Sequence, residues 1–224
     1  MKKGLLILIL FASSCDKYNP AIQYTLTIDG NSIAAGALST NGGYGPYLHK
    51  LFPNDIYNDI GISGQQTIQM IQRQYADTVL LHTGLNLLIV EEGSNDINDG
   101  ASGDSAYKDY KTYCTDRKAK FPNTKIILIS PTPRWGRTGF EADRQRLLSL
   151  LNNDFRIATG FANIYRSTNN YADVLVDVGN DKIIGFSGAE NDTIYYNTDR
   201  VHPTDSGYIY RGKFIANGIR SIAY

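Results

Sequence analysis

Residues 27–36 read TIDGNSIAAG. The β-branched and aromatic run YTLTID (24–29) ends at Gly30-Asn31-Ser32, and small residues follow. Such a run is strand material. A glycine at its end permits a turn or a close backbone approach that a side chain would block. A serine presented straight after a strand has two readings. It caps a helix, or it is a nucleophile held on a tight strand-to-helix turn. The ends of the other strands decide between them.

Working outward, apolar runs alternate with helical patterns. Residues 45–52 (GPYLHKLF) read as a short helix with Pro46 in its first turn. Residues 55–61 read as a second strand and 64–80 as a helix, with Ile68, Met70, Ile71 and Tyr75 near helical spacing. Residues 85–93 (LNLLIVEEG) are a continuous buried strand, 105–121 a helix, 124–130 (TKIILIS) a fourth strand and 141–158 one long helix. Residues 172–179 are a fifth strand, and 205–223 close the chain as a helix. Strands alternating with helices predict an α/β fold with a central five-stranded parallel sheet covered on both faces. In such open sheets ligands bind beyond the carboxyl ends of the strands.

Four loops are then of interest. They hold Ser32 after strand one, Gly61 and Gly64 in GISGQQT after strand two, Asn95 in EEGSND after strand three, and Asp199 and His202 in YNTDRVHP past strand five. Taken singly, each has a plain structural role: a cap, turn glycines, an Asx turn, a surface histidine. Together on one sheet edge they suit acyl transfer. Ser32 needs a base, and His202 serves at neutral pH. Asp199, three residues earlier, reaches Nδ1 if the segment turns. Pro203 biases His202 away from helical geometry. The backbone N–H groups of Ser32 and Gly64 and the Asn95 amide are candidate oxyanion donors.

With these residues the chain resembles the SGNH/GDSL hydrolase family over nearly its whole length, in the family's order. DGNSIAAG is similar to the first block, NDIGISGQQT to the second, EEGSND to the third and TDRVHPTDSG to the last; IILISPTPR resembles the fourth strand and its loop. The resemblance implies a three-layer αβα sandwich of flavodoxin-like type. It also implies Ser32 as nucleophile, His202 and Asp199 as base and orienting acid, and Gly64 and Asn95 as oxyanion residues. One position departs: Asn31 stands where the family usually has Asp, which removes a charge beside Ser32 without touching the relay.

The N-terminus, MKKGLLILILFASSC, has two lysines, an apolar run too short to span a membrane and then small residues, the layout of a secretory signal. Its end resembles a bacterial lipobox, which implies lipidation of Cys15, a signal over residues 1–14, a short leader to residue 23 and a hydrolase domain over 24–224. The expected location is the cell envelope by a lipid anchor, or else secretion. Without Lys2 and Lys3, 20 basic residues face 22 acidic ones. The full chain has zero formal charge and no basic stripe, which argues against nucleic acid as a partner.

Cys15 and Cys114 are the only cysteines, no CxxC is present, and Cys114 reads as a helix residue. DGNSIAAG lacks G-x-G-x-x-G, and NDINDGASGDS lacks EF-hand spacing, so neither a dinucleotide nor calcium is expected. No cofactor or metal is called for, and His49 and His82 read as structural. The substrate expected is a small-molecule or glycan ester, with carbohydrate O-acetyl groups favoured because no long apolar lid segment is visible. Lipase or thioesterase action on longer acyl chains is an alternative, as is a non-catalytic glycan-binding protein. In PRWGRTGF (133–140), Trp135 could stack on a sugar and Arg134 or Arg137 could hold a carboxylate. Oligomeric state is not legible.

Overall fold

A computed structural model describes residues 19–222. The signal segment and Cys15 lie outside these residues. Among the described residues seven strands are present: β1 Thr25–Gly30, β2 Ile56–Asp59, β3 Asn86–Glu91, β4 Thr124–Ile129, β5 Phe155–Ala158, β6 Ile164–Ser167 and β7 Val174–Val176. The helices are α1 Gly45–Leu51, α2 Thr67–Arg73, α3 Ser94–Asn98, α4 Gly103–Lys120, α5 Phe140–Asp154 and α6 Asp205–Ser221. Among the described residues no helix is long and apolar enough to cross a membrane.

The sheet order is β2-β1-β3-β4-β7-β6-β5. The first five strands in that order are parallel, as expected. β6 and β5 extend the sheet antiparallel, so it is mixed and seven-stranded rather than five-stranded and parallel. The difference arises at residues 155–158. The helix expected through 158 stops at Asp154, and Phe155–Ala158 turn back as a strand against β6. Gly160 and Asn163, both at positive φ, lie in the connection. A four-residue apolar-polar stretch after a helix has no periodicity of its own to announce it.

Two other expectations change in detail. The helix expected over 64–80 breaks at Gln74, which is left-handed at φ 51°, and resumes as a short 3₁₀ turn. Arg73, the last residue of α2, sends its guanidinium 2.6 Å from the buried Asp29 of β1. The loop expected around Asn95 is a short helix, α3.

Strands β1, β3 and β4 are buried almost end to end because each face of the sheet is covered by its own core. Leu26, Ile28, Leu87, Ile89, Ile127 and Ile129 pack towards α1 and α6, with Leu48, Ile215 and Ile219. Leu88, Val90, Ile126 and Leu128 point the other way, onto Met70, Tyr110, Leu147 and Leu151 of α2, α4 and α5. Alternate residues thus serve opposite layers. Cys114 lies wholly inside the second core, and burial pushes its thiol well up, which makes it inert. His82 stacks on Phe121 with centroids 4.6 Å apart, and His49 tilts against Tyr57 at 5.7 Å.

Candidate active site

The end of β1 explains its glycine. A Cβ on Gly30 would sit 2.1 Å from the carbonyl oxygen of Glu91 on β3. Only glycine lets the two strands run this close into their loops. Asn31 follows, 1% exposed, and its side chain spans both loops. Its Oδ1 accepts the N–H of Ile33 at 2.8 Å, and its Nδ2 donates to Ser94 Oγ at 3.1 Å. The residues immediately before Ser32 and Asn95 are therefore bonded to each other. The cap of this turn is Asn31, which leaves the Ser32 hydroxyl unspent on the backbone. Residues 32–38 form successive turns rather than a regular helix.

The Ser32 hydroxyl instead meets His202. Ser32 Oγ lies 2.8 Å from Nε2, and Nδ1 lies 2.6 Å from Asp199 Oδ2. With Nδ1–H donating to the carboxylate, Nε2 is left to accept the serine proton. Asp199 Oδ1 also accepts the N–H groups of Val201 and His202, at 3.0 and 3.1 Å. Burial acts to raise the Asp199 carboxyl, but the His202 ring and these two N–H groups outweigh it and hold it below its ordinary value. Arg200, left-handed at φ 56°, turns the segment, and Asn197 bonds across it to the His202 and Pro203 carbonyls. The segment ends where Thr204 caps α6. Asp205 then accepts from Ser39 Oγ at 2.5 Å, and the Tyr208 hydroxyl donates to the Ala37 carbonyl at 2.8 Å. Both bonds tie the start of α6 to the loop that carries Ser32.

Gly64 is exposed at φ 77°, with open space where a Cβ would be, so the dihedral alone asks for glycine. Its loop hangs from the same strand, through the Ile62 N–H to the Gly30 carbonyl at 2.9 Å. Asn95 sits in the first turn of α3. Its Nδ2 donates to the Gln65 carbonyl at 2.9 Å, and its Oδ1 accepts from Arg134 Nη1 at 2.9 Å. Asp96 clamps the same two loops by accepting from the Thr67 N–H and hydroxyl. Serine, glycine backbone, asparagine and an Asp/His pair thus lie together beyond the carboxyl ends of the strands.

The β4 loop divides its three candidates. Arg137 is committed to structure: it bonds the Ile97 and Ala101 carbonyls and Asp143. Trp135 is 60% exposed, with the Arg200 guanidinium 5.6 Å from its ring. Arg134 points at Asn95. Two features gave little signal in sequence. Ser94 enters through its bond to Asn31, visible only once β1 and β3 are neighbours. Glu92 is fully buried beneath the site; burial, then the charge of Asp96, hold its carboxyl well above its ordinary range. A row of two glutamates after an apolar strand carries no mark that both are buried, Glu91 paired with the Arg211 guanidinium and Glu92 set against Asp96.

Comparison with known proteins fits this geometry. Residues 30–209 match the model of the "GDSL-like Lipase/Acylhydrolase family". A structure of a member of the lipolytic protein G-D-S-L family from Veillonella parvula superposes with a TM-score of 0.65 at 15% identity, over 87% of this chain and 97% of that one. A structure described as TesA superposes at 0.61 with 15% identity, over 88% and 98%. At these identities the likeness is one of fold. A 75-residue stretch is 35% identical to the DNA-directed RNA polymerase III subunit RPC7 of Saccharomyces cerevisiae, and this match spans 30% of the length of each protein. So short a stretch supplies no argument about the site.

Proposed function

The chain belongs to the GDSL-like lipase/acylhydrolase family, and from that premise we propose that it is a serine esterase working through an acyl-enzyme, with Ser32 as nucleophile, His202 as base and Asp199 as the acid that orients it. The observation that carries this reading is the continuous line from Ser32 Oγ through the His202 ring to Asp199, at 2.8 and 2.6 Å, built on side chains 170 residues apart.

In this reading Ser32 Oγ attacks the ester carbonyl carbon as its proton passes to Nε2. The carbonyl oxygen becomes an oxyanion that accepts from the Ser32 and Gly64 N–H groups and from Asn95 Nδ2. Collapse breaks the bond to the leaving oxygen, which takes the proton from Nε2 and departs as an alcohol. Water then attacks the acyl-serine, gives its proton to Nε2 and releases the acid, and Ser32 recovers its hydroxyl. Asp199, held ionised below its ordinary value, steadies the imidazolium in both half-reactions.

The substrate class we favour is an O-acetylated carbohydrate at a bacterial envelope. The exposed Trp135 indole, beside the base loop, supports it as a face on which a sugar ring can stack. A fluorophosphonate probe should label the wild type and not Ser32→Ala. Absence of labelling in the wild type would favour a non-catalytic glycan-binding protein instead. A panel of acetyl, butyryl and longer p-nitrophenyl esters beside acetylated sugars tests the acyl group. A rise in kcat/KM with chain length would replace the acetylesterase with a lipase or thioesterase. We further propose a lipid anchor on Cys15. Mass spectrometry of membrane-extracted protein should find a diacyl- or triacylglyceryl group there, and a mature chain starting elsewhere would indicate a plain secretory signal.

A further inference from the structure

Resting on that reading, we propose that Arg134 is a positioning residue that locks the Asn95 amide in the one orientation that can serve the oxyanion. An asparagine amide can rotate by half a turn with almost no change of shape, exchanging a carbonyl oxygen for an NH₂ group. Here the two ends are held by partners of opposite kind. Nδ2 donates to the Gln65 carbonyl at 2.9 Å, and Oδ1 accepts from Arg134 Nη1 at 2.9 Å. The flipped amide would set its oxygen against the Gln65 carbonyl and its NH₂ against the guanidinium. Both contacts would then be repulsive. One N–H of Nδ2 goes to Gln65; the other has no protein partner among the described residues, and it is the one left to the oxyanion.

The cation does a second job. A charge-assisted bond to Oδ1 draws electron density through the amide and makes the remaining N–H a stronger donor. Arg134 is itself well placed to stay there. Pro131, Thr132 and Pro133 before it are buried, and the N–H of Trp135 after it bonds the Arg200 carbonyl of the base loop at 2.8 Å. The guanidinium is partly buried, makes no close carboxylate pair among the described residues, and lies within the field of the Asp99 and Asp199 carboxylates. Those carboxylates already offset its charge, which weighs against capture of an anionic substrate. Arg134 is thus shared between the oxyanion residue and the loop that aims the base.

The test is a double-mutant cycle on the full chain with the neutral substrate p-nitrophenyl acetate. Arg134→Met should lower kcat by about 10–10²-fold with KM changed less than about threefold, less than the about 10²–10³-fold expected for loss of the donor itself. Arg134→Lys, which keeps one cationic donor, should recover part of the loss, and added guanidinium should partly rescue Arg134→Ala. In an Asn95→Ala background Arg134→Met should cost little more, because the group it positions is gone. An undiminished loss in that background, or a rise in KM alone, would overturn the proposal in favour of a direct substrate contact. One readout is independent of turnover: the Asn95 side-chain NH₂ pair in ¹⁵N spectra, assigned by its disappearance in Asn95→Ala. It should shift and broaden in Arg134→Met and return in Arg134→Lys. An unmoved pair would sink the positioning role even if the protein hydrolysed no ester, and an active Ser32→Ala would sink the esterase reading while leaving this measurement standing.

Discussion

On one side of the site, Asn31 and Ser94 are 1% and 5% exposed and are bonded to each other across the ends of β1 and β3. On the other, the side chains of His202 and Asp199 keep 20% and 36% exposure, and among the described residues Asp199 is hydrogen-bonded only to those two and three places along the chain. The nucleophile side draws its rigidity from the sheet. The base side draws it from a local turn, closed by a capped helix and by Asp205 and Tyr208 reaching back to the Ser32 loop. Disturbing the first region should therefore cost stability and activity together, and disturbing the second should cost activity with the fold intact.

The largest effect should come where the two sides meet. Ser32→Ala and His202→Ala should each reduce ester turnover about 10³-fold or more, and the double variant should be little worse than either, since the pair acts as one unit. Thermal unfolding should hardly move in any of the three. Independent, multiplying losses would mean that the Ser32–His202 contact is not what drives turnover.

The next pair puts the comparison directly to the test. Asp199→Asn should lower kcat by about 10²–10⁴-fold, through the wrong imidazole tautomer, with little change in Tm. Asn31→Ala should do the reverse in proportion. It strands the buried Ile33 N–H and loosens Ser94, so denaturant unfolding should show a loss of about 2–3 kcal/mol, with a smaller fall in kcat. An Asn31→Ala protein as stable as the wild type would erase the distinction between the two sides.

A third prediction concerns pH and Glu92, under the nucleophile side. Burial raises its folded pKa well above the ordinary 4.5. A raised carboxyl contributes stability that is present below the unfolded value and is lost as pH rises towards the folded one. Glu92→Gln removes that loss and keeps an acceptor for the Asn95 N–H, now 3.3 Å from Glu92 Oε1. The Tm of the variant relative to the wild type should therefore increase from about pH 4 to pH 8. A difference that stays flat, or shrinks, would mean that Glu92 is ionised and paired.

The smallest effect is expected of Asn31→Asp. The carboxylate would keep the acceptor for Ile33 but lose the donor to Ser94, and it would lie beside Glu92 in a buried setting that favours its protonated form. The acidic limb of the kcat/KM profile should move to higher pH by less than about one unit. A larger move would mean that position 31 ionises freely and acts on the base side, bringing the two regions into one electrostatic unit.

The alternation of apolar strands with helices, the glycine that ends β1 and the Asp-x-x-His-Pro turn were enough to read the parallel half of the sheet and the residues Ser32, Gly64, Asn95, Asp199 and His202. Each is a local signal: periodicity reports burial on one or two faces, and turn chemistry reports where the chain must change direction. Residues 155–158 and 164–167 gave no such signal. Their short strands pair only with each other and with β7, and a four-residue run has no period that separates strand from helix. The partners of Arg134, Asn31 and Ser94, and the desolvation of Glu92, were likewise decided in three dimensions. A hydrogen bond between residues 63 positions apart, or a carboxyl's loss of water, exists only once β1, β3 and β4 stand side by side. The residue types at the site are written along the chain, whereas the orientation of the Asn95 amide and the exposure of Trp135 are properties of the packed sheet edge.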